Sequence, residues 1–146
     1  MKRRLLVEAT GGPLAIVIAG ANVHDTKLLA ATLDAIVLVR PQPTPERPQH
    51  LCLDLGYDNP TGAEAVTSHH YVAHLRRIGK EKLDLVTGEQ RFPARRWVVE
   101  RTLAWLSKCR ALLIRYDKHA ANFRGLLQFA CALLWFRRLH RLSVLR

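Results

Sequence analysis

The sequence is short of cysteine, and the few cysteines that it has are far apart. Cys52, Cys109 and Cys131 are odd in number, and no two of them form a Cys-x-x-Cys pair. This pattern argues against a disulfide framework and against a structural zinc site. We therefore expect a protein of the reducing cytoplasm that is stabilised by a packed core.

Long apolar runs are also missing. The longest late run, residues 126–136, is interrupted by Gln128 and is too short to cross a bilayer. The basic start, Met1 to Arg4, is followed by a strand-like run rather than by the apolar core of a signal peptide. These features predict a buried helix near the end of the chain and no membrane association.

Acidic residues are scarce in the second half of the chain. Residues 1–75 carry 6 Lys and Arg against 7 Asp and Glu, whereas residues 76–146 carry 17 against 5. The whole chain has 146 residues, 49% of them hydrophobic, and a net charge of +11. That length suffices for one domain with a core. A cationic surface concentrated in one half indicates a polyanionic partner, most often nucleic acid, and the alternative is a solubilising surface.

Hydrophobic periodicity predicts short strands followed by helices. The expected strands cover residues 4–9 and 14–21, joined by a tight turn at 10–13, and residues 50–55 and 71–75. The expected helices run from a cap at Asp25 or Thr26 to about 37, from Thr61 or the preceding Asn59–Pro60 to 68, and over 94–113 and 122–140. Four prolines make residues 40–49 a loop, and a second loop is expected at 79–93. This order gives an α/β or α+β class for a single unit over residues 1–146.

Two carboxylates stand out from this pattern. Asp54 stands at the end of a predicted strand, two residues before Gly56. Glu100 lies in the cationic helix that begins near residue 94, opposite its apolar stripe. If that helix crosses the strand end, both carboxylates can bind one Mg²⁺ ion. The alternatives are ordinary ones: Asp54 is then a turn former, and Glu100 pairs with Arg96 one helical turn earlier.

Cations and an exposed tryptophan surround Glu100. Arginines neutralise phosphates, and an aromatic ring can stack on a base. Trp105 falls in the apolar stripe and is expected in the core, whereas Trp97 lies nearer the polar face. The residues predicted to contact DNA are Arg95, Arg96, Trp97, Arg101, Lys108 and Arg110.

Four segments together resemble the DDE transposases of bacterial insertion sequences. They are residues 53–58 (LDLGYD), 96–106 (RWVVERTLAWL), 21–26 (ANVHDT) and 129–139 (FACALLWFRRL), and they follow the family's order over nearly the whole chain. The resemblance implies a ribonuclease-H-like fold in which three acids bind two Mg²⁺ ions. It implies DNA cleavage by water and joining of the freed 3′-hydroxyl to target DNA, with Asp54 as the second acid, Glu100 as the third and Arg96 beside them.

The family's first acid lies on a core strand that would precede residue 2. We therefore expect an incomplete sheet without its first core strand, and a chain that is inactive alone. Such a chain is either a truncated remnant or the second part of a transposase whose first part lies in another reading frame. The expected partners are transposon-end and target DNA, an upstream transposase polypeptide and a second copy of the chain. The alternative functions are a non-catalytic DNA-binding fragment that represses transposition and, more weakly supported, an RNA-binding protein.

Overall fold

The computed structural model describes residues 1–75 and 96–142, and of Arg96 it describes only the backbone. The elements in chain order are β1 (Lys2–Val7), β2 (Pro13–Ala19), α1 (Lys27–Asp34), β3 (Gln49–Leu53), α2 (Pro60–Ser68), β4 (Tyr71–Leu75), α3 (Arg96–Ser107), α4 (Arg110–Leu113) and α5 (Ala120–Arg141). The α/β class predicted from the sequence is confirmed. The predicted loop over 79–93 and the first two residues of the helix predicted from 94 lie outside the described residues.

Strands β1 and β2 form an antiparallel hairpin. Lys2 pairs with Ala19 and Leu6 with Ala15, and the register shifts between Leu6 and Val7 just before the turn. Side chains of a strand alternate between its two faces, so neighbours in β1 enter different cores. Leu5 packs against the core beneath α3 and α5, whereas Leu6 packs against the core beneath α1 and α2.

Strands β3 and β4 are parallel and are joined through α2. His50 pairs with Val72 and Leu53 with Leu75, and a parallel pair needs such a crossover connection. Helix α2 begins where Asn59 Oδ1 accepts a hydrogen bond from Gly62 N (3.0 Å), with Pro60 in the first turn. Asn at the N-cap and Pro at the first position both favour a helix start.

The hairpin lies between two helical layers. Leu106, Leu112, Phe123, Leu127 and Ala130 of α3–α5 are buried with Ile16 on one face. The second buried cluster joins α1, α2 and β3 and consists of Leu29, Leu33, Leu51, Ala65 and Val66. Each apolar helix stripe therefore has a strand surface to cover it.

Within residues 1–75 and 96–142 the strands form two two-stranded sheets rather than the one mixed sheet expected. β1 pairs with β2, and β3 pairs with β4. Leu6 of β1 nevertheless packs in the same cluster as Leu51 and Leu53 of β3. The two sheets thus share one helical layer without sharing a backbone ladder.

Two helix boundaries differ from the sequence-based expectation. Helix α1 ends at Asp34, before 37, because Ile36 and Val37 are β-branched and Val37, 76% exposed, has no packing to extend the helix. The helix predicted over 94–113 stops at Ser107, and Cys109 is extended (φ −75°, ψ 111°) before α4. The break buries Leu112 and leaves Leu113 67% exposed. The packing of Leu112 in the core therefore decides where the helix ends, although the helical pattern of apolar residues continues.

Asp25 makes ion pairs and does not cap α1. Thr26 occupies the N-cap position without a side-chain cap bond. Asp25 Oδ1 lies 3.1 Å from Lys2 Nζ, and its other oxygen contacts Arg4. Lys2 and Arg4 are on the same face of β1, so their charges converge on this carboxylate. Asp25 thereby fastens the start of β1 to the segment before α1.

None of the helices in the described part of the chain combines the length and the apolar composition that a membrane span requires.

Candidate functional site

Asp54 lies immediately after β3, at the strand end where the sequence predicts it. Its side chain is exposed and accepts a hydrogen bond from Leu55 N (2.9 Å), which caps the 3-10 turn of Leu55–Tyr57. The turn-forming role is therefore observed. Burial raises the pKa of the Tyr57 phenol above its ordinary value, Arg4 opposes this rise and the Asp54 carboxylate adds to it. Asp54 and Arg4 thus both lie within electrostatic reach of one phenol.

Glu100 lies on α3 and is exposed, opposite the buried residues Val98, Thr102 and Leu106. The predicted orientation of this side chain is confirmed. Thr102 and Val98, its neighbours on the helix, lie close to Gly11 in the turn between β1 and β2. The space there is so small that a Cβ added to Gly11 would lie 3.1 Å from Thr102 Oγ1 and 3.4 Å from Val98 Cγ1. Packing against this turn determines where α3 holds Glu100.

The surroundings of the two carboxylates lie toward different ends of β1. Arg4, whose charge acts on the Tyr57 phenol together with that of Asp54, is in the first half of the strand, whereas Thr10 and Gly11, which contact α3, follow its last residue. In the described ranges no group of three or more His, Cys, Asp or Glu residues is placed to hold a metal ion. The carboxylate oxygens suit Mg²⁺ in their chemistry, but two such ligands do not complete a site.

The predicted DNA-contacting residues divide into three groups. Arg95 and the side chain of Arg96 lie outside the described residues. Trp97 is 57% exposed, and the Arg101 guanidinium lies 4.9 Å from its ring centre while donating to Thr10 O (2.5 Å). Lys108 and Arg110 are exposed where α3 gives way to α4. Trp105 packs against the core, as predicted, with Arg137 5.7 Å from its ring.

The turn between β1 and β2 is organised by Glu8. Its carboxylate accepts hydrogen bonds from Thr10 N and Gly12 N, each 2.8 Å, and from the Thr10 hydroxyl. Gly11 has φ +97°, a left-handed conformation that favours glycine. Glu8 N also donates to Gly12 O (2.9 Å). The turn is thus a fixed loop built around one carboxylate.

Side chains from α3 and α5 grip this turn, and we call Glu8–Gly12 with Arg101, Thr102, Trp135 and Arg138 the turn clasp. Arg138 Nη1 donates to Glu8 Oε1 (3.2 Å) and Nη2 to Thr10 O (3.3 Å). The buried Thr102 hydroxyl donates to Gly11 O (2.9 Å), and Trp135 Nε1 donates to Pro13 O (2.7 Å). The clasp couples the Glu100 helix to the last helix through the hairpin.

We expect the clasp to weaken in acid. Burial tends to raise the pKa of Glu8, but the hydrogen bonds from Thr10 and Gly12 and the charge of Arg138 outweigh it and lower the pKa below its ordinary value of 4.5. A lowered folded-state pKa gives stability that is present above 4.5 and is lost as pH falls through the folded value. Urea midpoints from pH 3 to 7 should therefore fall more steeply at low pH for the native chain than for Glu8→Gln. Parallel curves would contradict this role.

The sequence of this chain matches a known protein family. The model described as Transposase DDE domain matches residues 1–135. The chain belongs to the DDE transposase family. This DDE transposase chain is also 33% identical, over 151 aligned residues, to a protein of Burkholderia cepacia named as a putative transposase for insertion sequence element IS402. The alignment covers 96% of the chain and 64% of that relative's length. No solved structure gives a significant match.

Sequence reasoning on this DDE transposase chain misses the turn clasp, since the pattern of Thr10 to Pro13 predicts only a tight turn. The signal that the sequence does contain is Glu8, an acid next to a Gly-Gly turn whose amides need an acceptor. Nothing in the sequence pairs it with Arg138, which is 130 positions away.

Proposed function

We propose that this chain supplies the second and third acids of an insertion-sequence transposase, Asp54 and Glu100, within a ribonuclease-H-like fold. The family match over residues 1–135 is the observation that carries the proposal. The position of Asp54 at the end of a parallel strand and the outward position of Glu100 on a cationic helix support it. The proposed reaction is DNA strand cleavage followed by strand transfer.

The proposal assigns the first acid to an upstream polypeptide or segment of the complete enzyme. The chain spans 64% of the length of its relative. Among the described residues, β1 pairs only with β2 and β3 only with β4, and Leu6, Leu51 and Leu53 of these strands share one cluster. A strand placed between β1 and β3 could pair with both of them.

Divalent metal would bind to the complete enzyme, in which all three acids are present. Asp54 and Glu100 would each contribute carboxylate oxygens, and bound Mg²⁺ would supply stabilisation of charge on the attacking and leaving oxygens of the phosphodiester. The chain's own cations act separately on the DNA, because exposed Lys108 and Arg110 bind the phosphate backbone and hold the strand near the carboxylates. Arg101, fixed between Thr10 and Trp97, shapes the surface beside Glu100.

We expect cleavage to require both polypeptides. Transposon-end DNA labelled at its 5′ end is incubated with Mg²⁺ and the 146-residue chain, then with the chain plus a polypeptide that carries the first-acid strand. The chain alone should leave the DNA intact, and the mixture should nick it. Hydrogen exchange should also show new protection of amides in β1 and β3 in the mixture. Metal-dependent cleavage by the chain alone would contradict the proposal.

A non-catalytic DNA-binding role is the second candidate. It is favoured by the net charge of +11 and by the separate surroundings of the two carboxylates. A repressor of this kind binds transposon ends in a salt-dependent way and leaves them uncut. The same mixture separates the candidates, because a repressor gains no nicking activity when the upstream polypeptide is added.

A further inference from the structure

The segment between α3 and α5 is cationic and exposed. We call residues 108–119 the basic connector. Lys108, Arg110, Arg115 and Lys118 lie on its surface, and Arg124 follows one turn into α5. Asp117 is its one acid. Such a surplus of positive charge in a short segment favours contact with a polyanion over a mixed, solubilising surface.

Arg115 gives the basic connector a defined shape. Its Nε donates to Asp117 O (2.9 Å) and its Nη2 donates to Lys118 O (3.3 Å). The guanidinium also lies 5.7 Å from the ring centre of Phe123, which is 3% exposed. The backbone around Tyr116 is therefore wrapped about a fixed guanidinium that is anchored to the core.

Tyr116 projects from this shaped segment. It is 81% exposed, and Leu113 and Ile114 beside it are 67% and 56% exposed. A single exposed tyrosine is common on protein surfaces. Here the ring stands next to two other exposed apolar side chains and among cations, with its backbone held in place. Aromatic rings interleaved with cations suit nucleic acid, since the rings stack on bases while the cations neutralise phosphates.

The basic connector lies beside the start of the hairpin. Arg115 Nη1 is 3.5 Å from Met1 Sδ, directly before β1. A DNA strand bound along the connector therefore also passes the first residues of β1.

We propose that the DNA-contacting surface extends from Lys108 and Arg110 along the rest of the basic connector and that Tyr116 stacks on a base that has left the duplex. The proposal rests on the proposed function, because cutting at a transposon end provides unpaired or frayed bases. Its ligand is a junction between duplex and single-stranded DNA. Lys118 and Arg124 bind phosphates on either side of the stacked base.

Anisotropy titrations of the 146-residue chain test this surface. The probes are a blunt duplex and the same duplex with a short single-stranded extension. Tyr116→Ala should weaken binding to the extended duplex by about 5- to 150-fold, the range for loss of one base–aromatic stack. Binding to the blunt duplex should change by less than about twofold, because it offers no unstacked base. Tyr116→Phe keeps the ring and should retain the native affinity for both probes.

Matched variants control for surface and charge. Phe129, 70% exposed on α5, is a comparable aromatic outside the connector, and Phe129→Ala should leave both affinities unchanged. Lys118→Gln should reduce the slope of log affinity against log salt by about 0.7–0.9, the value for one phosphate contact. Lys27→Gln, a substitution of an exposed lysine in the first half of the chain, should leave that slope unaltered.

Three results would overturn the inference. They are no DNA binding by the chain, native affinity in Tyr116→Ala, and an equal loss on both probes. Thermal melts of each variant guard against unfolding, which is not expected at a side chain this exposed. These results are independent of the cleavage experiment. If the reconstituted enzyme does not cut DNA, the proposed function fails, but a loss of binding in Tyr116→Ala still supports stacking. If cutting depends on Asp54 but Tyr116→Ala binds normally, the proposed function is supported and the stacking inference fails.

Discussion

Asp54→Asn and Glu100→Gln should each lower Mg²⁺-dependent nicking by the reconstituted transposase at least about 10³-fold, because each removes one proposed metal ligand and groups that act as a unit fail together. Both changes keep the size of the side chain and remove only its charge. Both residues are exposed, so the free energy of unfolding should remain close to the native value. Single-turnover nicking rates over a range of Mg²⁺ concentrations provide the measurement.

The double variant and a control make this experiment decisive. Because each single loss already disables a shared site, Asp54→Asn with Glu100→Gln should be little worse than either alone. Glu64→Gln, which changes an exposed carboxylate on α2, should keep its nicking rate within about twofold. Nicking that survives both site substitutions would remove these residues from the catalytic centre. A rate that falls equally in Glu64→Gln would point to general loss of charge.

Gly12→Ala should destabilise the chain by about 3 kcal/mol, near the upper end for forced overpacking. The new Cβ would lie 2.3 Å from Trp135 Cζ2 and 2.9 Å from Glu8 Oε1. Neither neighbour is free to withdraw, since Trp135 Nε1 is bound to Pro13 O and the Glu8 carboxylate holds the turn. A loss of this size is a large part of the roughly 5–15 kcal/mol that usually stabilises a domain. Urea unfolding monitored by tryptophan fluorescence measures it.

Gly125→Ala is the matched control for this substitution. Gly125 lies inside α5, and an added Cβ there meets nothing within 4 Å. Alanine in an open helical position should stabilise by about 0.5–1 kcal/mol, because glycine loses more backbone freedom on folding. Equal stability of the native chain and Gly12→Ala would show that the clasp can open without cost. Destabilisation by Gly125→Ala as well would show that the loss in Gly12→Ala does not report on the turn clasp alone.

Local patterns predict most of the elements and little of their connection. The short apolar runs of β1 and β2, the Asn59–Pro60 helix start and the helical period of α5 all act over a few residues, and the structure confirms those elements. The break at Cys109 escapes such patterns because packing of Leu106 and Leu112 into one cluster overrides the continuing helical stripe. The sequence favours a helix cap for Asp25 because Lys2 and Arg4, its actual partners, are distant along the chain.

For the candidate site too, the sequence predicts the position of each residue in its own element but not how the two residues lie relative to each other. The positions of Asp54 at a strand end and of Glu100 on the polar side of a helix follow from period and turn chemistry. Their relation to each other depends on how α3 crosses the hairpin, which Thr102 and Arg101 determine through the carbonyls of Gly11 and Thr10. The sharing of metal by these two residues remains a prediction.

The link between Glu8 and Arg138 also has a consequence for synthesis. A ribosome makes the hairpin before α5, and the guanidinium that secures it emerges about 130 residues later, as the sequence separation of this pair requires. Until α5 is released, the newborn hairpin presents Leu5 and Ile18 without the helix that covers them. The nascent polypeptide is therefore most vulnerable to proteases and to self-association until α5 has emerged.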